Sequence, residues 1–390
     1  MNRKGVCYDV GRFMMGSNWR PKFDAEVVRQ ELEIIKEDLH CNAIRICGLD
    51  IERLTTASKD ALKQGLEVWF SPEMWDKSQE ETLQYLKKAA EAAESLRKQW
   101  PDMVVFSVGS EVTLFMQGIV EGSNFFERMN NPSFWISIKE GRHNKALNEF
   151  LAKANQAVRG VFKGKVTYFS VPLEAVDWSP FDFVGVDLYR DARIKDVFSK
   201  VAGRYLEYKK PVVIGEFGCC TYLGAEMLGG SGFIVTFGMM ADYLGPKIPV
   251  PRLIGEMLKA VPKVDGHYIR DEGLQAKEIV EQLTTFDAAG IDGAFVFTFV
   301  SPTSTYSPDP RFDLDMGSYS LVKSYVEKDT FDKIVSQTVR QGKELLGVDL
   351  APEELPKFVG EFDKKGDTYP DMPWEPKESF RAVADYYAKH

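Results

Sequence analysis

Strand-like and helix-like segments alternate along most of this chain, and the alternation limits its fold more than any other feature of the sequence. Apolar runs of strand length occur at residues 5–10, 42–47, 66–71, 103–109, 165–171, 183–189, 211–215 and 293–299. Strands separated by helices pair in parallel, because each helix carries the chain back across the sheet. Eight such units predict a closed (β/α)8 TIM barrel, and the alternative is an open doubly wound sheet.

The segments between the strands carry helix start and stop signals. Asp24 is a predicted N-cap, and Ser78 with Glu81 three residues later forms a predicted capping box. Gly65 and Gly160 are predicted helix ends, because glycine readily adopts the left-handed conformation that closes a helix. These signals agree with an alternating α/β chain.

Three long segments interrupt the regular spacing, at residues 112–143, 217–271 and 300–317. They follow predicted strands four, seven and eight, and C-terminal strand ends form the active face of such a barrel. We expect 217–271 to be a lid-like insertion; the alternatives are a partner-contact surface in a homo-oligomer and a packed subdomain. The Lys/Glu-rich residues 326–368 predict a helical insertion before the last barrel helix. Residues 1–390 are therefore expected to form a single barrel domain.

The composition narrows the classes of partner. A net charge of −9 without a visible Lys/Arg cluster argues against nucleic acid and against an anionic membrane surface. We expect a small, neutral or polar substrate. The first residues lack the apolar stretch of a secretion signal, and the five cysteines are odd in number without C-x-x-C spacing. These features predict a cytoplasmic protein without a disulfide framework.

Acidic and aromatic residues gather at the C-terminal ends of the predicted strands, which in a barrel surround one cavity. The candidate site residues are Tyr8, Asp9, Arg45, Glu73, Trp75, Ser110, Glu111, Glu174, Asp187, Tyr189, Glu216 and Phe297. The set contains no histidine, so we expect no histidine-ligated metal, and we predict neither a metal nor another cofactor. A carboxylate-only Mg²⁺ site is the alternative.

Two of these carboxyl groups are candidates for catalysis. Glu111 ends the segment FSVGSE after strand four, and Glu216 ends VVIGE after strand seven. Strands four and seven lie nearly opposite each other in an eight-stranded ring. Glycoside hydrolysis needs such a pair, because one carboxyl group protonates the departing oxygen while the other attacks the anomeric carbon or activates water.

Several motifs resemble those of one enzyme group in the same order along the chain. They are AIRICG, SVGSEVT, FDFVGVDLY, KPVVIGEFG, GAFVFTF and EPKESFRAVADYY. The chain resembles the clan A glycoside hydrolases, retaining (β/α)8 enzymes whose acid/base follows strand four and whose nucleophile follows strand seven. The resemblance implies that Glu216 is the nucleophile, Glu111 the acid/base, Tyr189 a hydrogen-bond donor to the nucleophile and Arg45 the cation that keeps it ionised. Arg45 could instead simply pair with a carboxylate inside the barrel.

The chain departs from the clan pattern at two positions. Ser110 stands where most members have an asparagine that contacts the sugar 2-hydroxyl, and Phe297 or Phe299 replaces the tryptophan of strand eight. The other acids and aromatics of the set are candidate substrate-binding residues, with structural roles in the barrel as the alternative.

Two function hypotheses follow. The leading one is a retaining glycoside hydrolase or transglycosidase that acts on a small glycoside or oligosaccharide. The chain is also similar to bacterial barrels named abortive phage infection protein, a name that implies a defence role without a chemistry. The alternative is therefore a non-hydrolytic barrel that binds a carbohydrate or a nucleotide-derived signal in defence or regulation.

Overall fold

The computed structural model describes residues 1–14, 16–245, 250, 252–359 and 362–390. At its centre is a closed barrel of parallel strands, labelled β1 to β8 in chain order. They are Arg3–Asp9, Ala43–Gly48, Glu67–Pro72, Val104–Ser110, Lys165–Ser170, Val184–Asp187, Val212–Phe217 and Gly293–Val296. Each strand pairs with its neighbours in the sequence, and β1 pairs with both β2 and β8 to close the ring. The predicted (β/α)8 barrel is confirmed, and the open sheet is excluded.

Helices surround the ring. The main ones are Ala25–Glu37, Ile51–Lys63, Gln79–Gln99, His143–Val161, Phe198–Gly203, Glu272–Ala289 and Glu378–Lys389. Asp24 caps the first of them, and Ser78 and Glu81 form the reciprocal capping box, both as predicted. Gly65 follows the second helix with φ of +80°, also as predicted. The predicted helix end at Gly160 was wrong, because the helix continues to Val161 and is followed by extended backbone at Phe162.

The apolar core has an inner and an outer layer, because successive residues of a strand face opposite sides of the barrel wall. The inner layer is formed by Cys7, Ala43, Trp69, Val105, Phe169, Phe183, Val213 and Phe295. The outer layer, which includes Val6, Tyr8 and Ile44, packs between the wall and the helices. Two residues further along their strands, Asp9 and Arg45 therefore lie on the inner side, at the C-terminal mouth.

The three long segments after β4, β7 and β8 are largely folded. Residues 112–143 form the short helices Val112–Phe115, Phe125–Asn130 and Pro132–Glu140. Residues 217–271 contain the 3-10 segments Ala225–Met227 and Gly229–Ile234, the helices Val235–Leu244 and Arg252–Leu258, and the paired strands Lys263–Val264 and His267–Tyr268. Residues 300–317 end in the 3-10 segment Leu314–Gly317.

The 217–271 insertion packs around an apolar cluster of its own. Cys220, Tyr222 and Met239 of the insertion contact Met316 and Tyr319 from the segment after β8 within this cluster. The insertion is thus joined to the rim of the barrel by a buried core. Its role as a lid or an interface stays a prediction.

The remaining elements lie outside the ring. They are the 3-10 segments Lys195–Val197 and Arg204–Tyr208, the helix Lys328–Leu346, the 3-10 segment Pro352–Phe358, and the strand pairs Phe13–Met14 with Ser17–Asn18 and Val322–Ser324 with Trp374–Pro376. The connection between β5 and β6 contains no helix within its described residues. None of the helices in the described ranges combines the length and the apolar character needed to cross a bilayer.

Candidate active site

Arg45 is the fixed cation at the mouth of the barrel. It projects from β2 with no exposed surface, and its Nη1 donates to Asp187 Oδ1 at 3.0 Å while its Nη2 donates to Glu73 Oε1 at 3.2 Å. The ring of Phe169 lies 3.9 Å from the guanidinium carbon. A buried guanidinium is stable only when its charge is paired, and here two strands supply the carboxylates.

Glu216, at the end of β7, accepts two hydrogen bonds and forms a further ion pair at the barrel rim. Its Oε1 accepts from Arg12 Nη2 at 2.7 Å and lies 3.3 Å from Arg45 Nη1. Its Oε2 accepts from the Tyr189 hydroxyl at 3.2 Å. The contacts with Arg45 and Tyr189 are those that the resemblance implied for the nucleophile. Together these three partners hold the Glu216 carboxyl group in one orientation.

Gly215 allows β7 to place Glu216 in this position. A Cβ on residue 215 would lie 2.1 Å from Phe169 Cδ1 and 2.6 Å from Asp187 Oδ1, so the inner side of the wall has no space for one. The pairing of β6 with β7 also shifts between Ile214 and Glu216. This irregularity accompanies the arrival of Glu216 at the mouth beside Asp187.

Glu111 follows β4 and has a different environment. Its backbone is left-handed, with φ of +48°, and its N–H donates to Phe169 O at 2.9 Å. Burial raises the pKa of the Glu111 carboxyl well above its usual value, and the nearby charges of Asp187 and Glu216 raise it further. Non-glycine residues rarely adopt this backbone conformation, and such residues often occur at functional sites. The surroundings of Glu111 thus favour its protonated form.

A hydrogen bond between Ser110 and Asp187 joins the end of β4 to the end of β6. The Ser110 hydroxyl donates to Asp187 Oδ2 at 2.6 Å. Burial raises the pKa of Asp187 to about 8; the opposing charge of Arg45 and the hydrogen bond from Ser110 limit the rise. The serine at the position where the clan usually has asparagine therefore binds a protein carboxyl group in this structure.

Arg12 is a site residue that the sequence analysis missed. It lies in the loop after β1, and its Nε donates to Glu73 Oε2 at 2.6 Å and its Nη2 to Glu73 Oε1 at 3.0 Å. Asp9 shapes the loop by accepting the N–H groups of Gly11 and Arg12 at 2.7 and 2.9 Å. An arginine in a loop is usually exposed. The only local signal was the Asp9-x-Gly11 sequence, which is typical of a turn.

Glu73 links the two arginines, since it accepts hydrogen bonds from both Arg12 and Arg45. Burial alone would raise the pKa of Glu73, but the two guanidinium groups outweigh burial and lower that pKa. Burial also raises the pKa of Asp9, which faces Arg12.

In the described ranges, no group of three or more His, Cys, Asp or Glu side chains is arranged to hold a metal ion.

Aromatic rings form one wall of the site. Trp75 stacks on Phe115 with ring centroids 4.4 Å apart, and Trp19 contacts Trp75 edge-on at 5.4 Å. Phe297 is half-buried with its ring centroid 5.3 Å from the Arg12 guanidinium carbon. Phe299 instead packs against Trp374 in the outer layer, so Phe297 is the one of these two aromatics after β8 that belongs to the site.

Two of the predicted substrate-binding residues are directed elsewhere. Tyr8 points away from the barrel interior and donates to Glu31, because the alternation along β1 places Cys7 and Asp9 inward. Glu174 accepts from the Tyr168 hydroxyl at 2.8 Å and from the N–H of Thr113 at 3.1 Å. Its carboxylate is thus occupied in holding the turn after Glu111, and both predictions of substrate contact are corrected.

The structure brings the other predicted residues together. Asp9, Arg45, Glu73, Ser110, Asp187, Tyr189 and Glu216 form one hydrogen-bonded or ion-paired network around the mouth through Arg12, and Trp75 and Phe297 lie against that arginine. The charges of Asp187 and Glu216 in this network raise the pKa of Glu111. The chain is thus a (β/α)8 barrel whose C-terminal mouth holds two acidic residues, Glu111 and Glu216. The surroundings of the two carboxyl groups differ.

Comparison with known proteins supports the fold. No protein-family model matches the chain, and no curated protein matches its sequence. A β-mannanase of glycoside hydrolase family 113 from Alicyclobacillus acidocaldarius, solved with ManMIm, gives a TM-score of 0.50 at 13% identity, over 99% of this chain and 97% of that chain. A β-1,4-mannanase of the same family gives 0.49 at 13% identity, over 100% and 99%. A family 5 glycoside hydrolase from Prevotella bryantii B14 gives 0.44 at 12% identity, over 81% and 94%.

The first of these likenesses spans nearly the whole of both chains and shows a shared barrel fold. At this level of identity the likeness concerns the fold alone.

Proposed function

We propose that this protein is a retaining glycoside hydrolase or transglycosidase, with Glu216 as the nucleophile and Glu111 as the acid/base. The contrast between these two carboxyl groups is the observation that carries the proposal. Glu216 is bound by two guanidinium groups and a phenol, whereas burial and negative charge raise the pKa of Glu111. Unlike environments of this kind give paired carboxyl groups their separate acid and base roles.

In the first step, the Glu216 carboxylate attacks the anomeric carbon of the bound sugar. The bond from that carbon to the leaving oxygen breaks, and Glu111 gives its proton to that oxygen. The product is an ester between the sugar and Glu216. Tyr189 and the arginines keep the attacking group in place before the reaction, which reduces the entropy lost on reaching the transition state.

In the second step, a water molecule enters beside Glu111, which is now a carboxylate. Glu111 removes a proton from the water as its oxygen bonds to the anomeric carbon, and the ester bond to Glu216 breaks. A sugar hydroxyl in place of water would give transglycosylation by the same route. Two inversions leave the anomeric configuration unchanged.

The balance of charge at the mouth supports a neutral sugar. The positive charges of Arg12 and Arg45 are already paired with Glu73, Glu216 and Asp187, so neither of these arginines is left unpaired for an acidic substrate. The β-mannanase with the shared fold suggests β-mannosides as the first probes. β-Glucosides and β-glucuronides are tested beside the β-mannosides. The comparison separates the effect of the sugar type from the effect of a negative charge on the sugar.

The experiment measures release of nitrophenol from 4-nitrophenyl and 2,4-dinitrophenyl glycosides of these sugars. Glu216→Gln should lower the rate at least about a thousandfold, because the amide cannot form the ester intermediate. Glu149→Gln is the matched control, since Glu149 is exposed on the helix His143–Val161. Equal rates for wild type and Glu216→Gln on a hydrolysed probe would overturn the assignment.

The Glu111→Gln variant tests the second assignment. It should retain more activity on 2,4-dinitrophenyl than on 4-nitrophenyl glycosides, because the better leaving group needs less protonation. Added azide should restore turnover of the activated substrate, since azide attacks the ester without help from a base. An equal loss on both substrates without azide rescue would argue against Glu111 as the acid/base.

A further inference from the structure

Arg12 lies between two carboxylates that come from different strands. Glu73 of the β3 rim receives two of its hydrogen bonds, at 2.6 and 3.0 Å, and Glu216 of β7 receives one at 2.7 Å. Its remaining exposed surface is only 2%. Two side-chain carboxylates therefore fix the guanidinium, and it reaches the proposed nucleophile more closely than Arg45 does.

The surroundings of Arg12 leave its guanidinium little freedom. The guanidinium carbon lies 5.9, 5.7 and 5.3 Å from the ring centroids of Trp19, Trp75 and Phe297. The turn built on Asp9 fixes the backbone from which the side chain departs. Within the described part of the chain, the hydrogen bonds of the Arg12 side chain go to carboxylates and none goes to the main chain. Its contacts thus serve the site more than the loop.

The two oxygens of Glu216 are consequently unlike. Both arginines approach Oε1, whereas Oε2 accepts, among the described residues, only the Tyr189 hydroxyl at the longer distance of 3.2 Å. Oε1 accepts a short hydrogen bond from Arg12 and lies 3.3 Å from Arg45 Nη1, so two cationic groups crowd the directions in which it could form a bond. Oε2 is therefore the oxygen better able to attack a sugar.

We propose that Arg12 is a positioning residue that directs Glu216 Oε2 at the substrate and stabilises the Glu216 carboxylate as the leaving group of the second step. The inference rests on the proposed double displacement. In the first step the carboxylate loses its charge as Oε2 bonds to the anomeric carbon and Glu111 protonates the leaving oxygen. In the second step that bond breaks, its electron pair returns to Glu216, and Glu111 takes the proton of the attacking water.

A cation fixed on Oε1 acts oppositely on the two steps, because it binds the charged carboxylate more strongly than the neutral ester. Its charge therefore holds back formation of the ester, which offsets the gain from positioning Oε2, and speeds breakdown of the ester. A residue with a purely structural role would slow both steps together. The ratio of the two rates is therefore a readout specific to Arg12 acting through Glu216.

The test follows the ester itself by intact-protein mass spectrometry. The probes are 2,4-dinitrophenyl 2-deoxy-2-fluoro-β-mannoside and the matching β-glucoside, whose activated leaving group favours formation and whose fluorine slows breakdown. For Arg12→Met we expect breakdown to slow by roughly tenfold to a hundredfold, with a smaller change in formation. The breakdown rate of Arg12→Lys should lie between those of the wild type and Arg12→Met. Lysine keeps a charge but lacks the forked guanidinium that binds both Glu73 and Glu216.

Equal slowing of both rates, or unchanged breakdown, would overturn the role of Arg12 while leaving the proposed function intact. Absence of an adduct on the wild-type enzyme with both probes would count against the proposed function itself. A crystal structure of Arg12→Met then decides the positioning role without any substrate. We expect Glu216 to turn toward Arg45 and lose Tyr189, and an unmoved Glu216 would contradict the inference.

Discussion

The hydroxyl of Ser110 and the carboxyl group of Asp187 are joined by a 2.6 Å hydrogen bond from the end of β4 to the end of β6. This bond lowers the pKa of Asp187 against the opposing effect of burial, and the charge of Asp187 in turn raises the pKa of Glu111. A serine thus influences the proposed acid/base through an intermediate carboxyl group.

Ser110→Ala should therefore move the pH dependence of activity. Without its donor, Asp187 would keep its proton to higher pH, its charge would act less on Glu111, and Glu111 would lose its proton at lower pH. We expect the alkaline limb of kcat/KM to shift toward lower pH. Ser95→Ala, on the exposed side of the helix Gln79–Gln99, is the control. An unmoved limb, or a shift to higher pH, would contradict this chain of effects.

Wild-type activity should persist well above the pH at which an ordinary glutamic acid ionises, about 4.3. The reason is that Glu111 must donate a proton, and its raised pKa keeps that proton bound as the pH rises. Activity should fall once the pH passes the raised pKa. The measurement is the pH profile of kcat/KM on a 4-nitrophenyl glycoside, and Glu111→Gln should remove the alkaline limb on the 2,4-dinitrophenyl analogue. An alkaline limb near 4.3 would refute the assignment of Glu111.

Glu174 should make stability depend on pH. Burial raises its pKa from 4.5 to about 7, so between these values the folded protein keeps a proton that the unfolded chain has released. Its contribution to stability is complete below pH 4.5 and is lost as the pH rises through the folded pKa. The slope is at most about 1.4 kcal/mol per pH unit.

The test compares the free energy of unfolding of wild type and Glu174→Gln across that pH range. The glutamine variant should show a flatter dependence, because its side chain does not titrate. Glu149→Gln, exposed on the helix His143–Val161, should follow the wild type. Parallel curves for wild type and Glu174→Gln would show that Glu174 does not keep its proton in the folded state.

Gly215→Ala should damage both stability and activity. The added Cβ would meet the Phe169 ring at 2.1 Å and Asp187 at 2.6 Å, and such overpacking costs about 1–3 kcal/mol. Gly203→Ala is the matched control, because a Cβ there meets nothing within 4 Å and the backbone is helical. Chemical denaturation should show a loss for the first variant and little change or a gain for the second. Equal stability of the two variants would contradict the close packing inside the barrel.

The sequence predicted the elements that depend on local pattern. All eight barrel strands are found, and the caps at Asp24 and Ser78 follow from side chains that bond to the nearest backbone N–H groups. The resemblance also led to the Arg45 and Tyr189 contacts of Glu216, which depend on the order of strands around the ring. Contacts that depend on the order of strands are predicted correctly even when the predicted strand ends are slightly wrong.

The errors concern the direction of single side chains. Tyr8 was placed in the cavity, yet strand alternation turns it outward, and a strand position alone does not show which parity faces inward. Arg12 was missed because its contact with Glu216 joins residues 204 positions apart. Glu174 lies near the mouth but bonds to Tyr168 and to the backbone. Such contacts depend on tertiary packing that a sequence pattern does not encode.

The central claim is that Glu216 forms a covalent ester with the sugar. The direct measurement is peptide mapping by tandem mass spectrometry after reaction of the wild-type enzyme with a 2,4-dinitrophenyl 2-deoxy-2-fluoro-β-glycoside. We predict a single fluoroglycosyl group on Glu216, within the segment VVIGEFGCC, and none on the Glu216→Gln variant. A probe that is turned over while the peptide stays unmodified, or a label on another residue, would contradict the assignment of Glu216 as nucleophile.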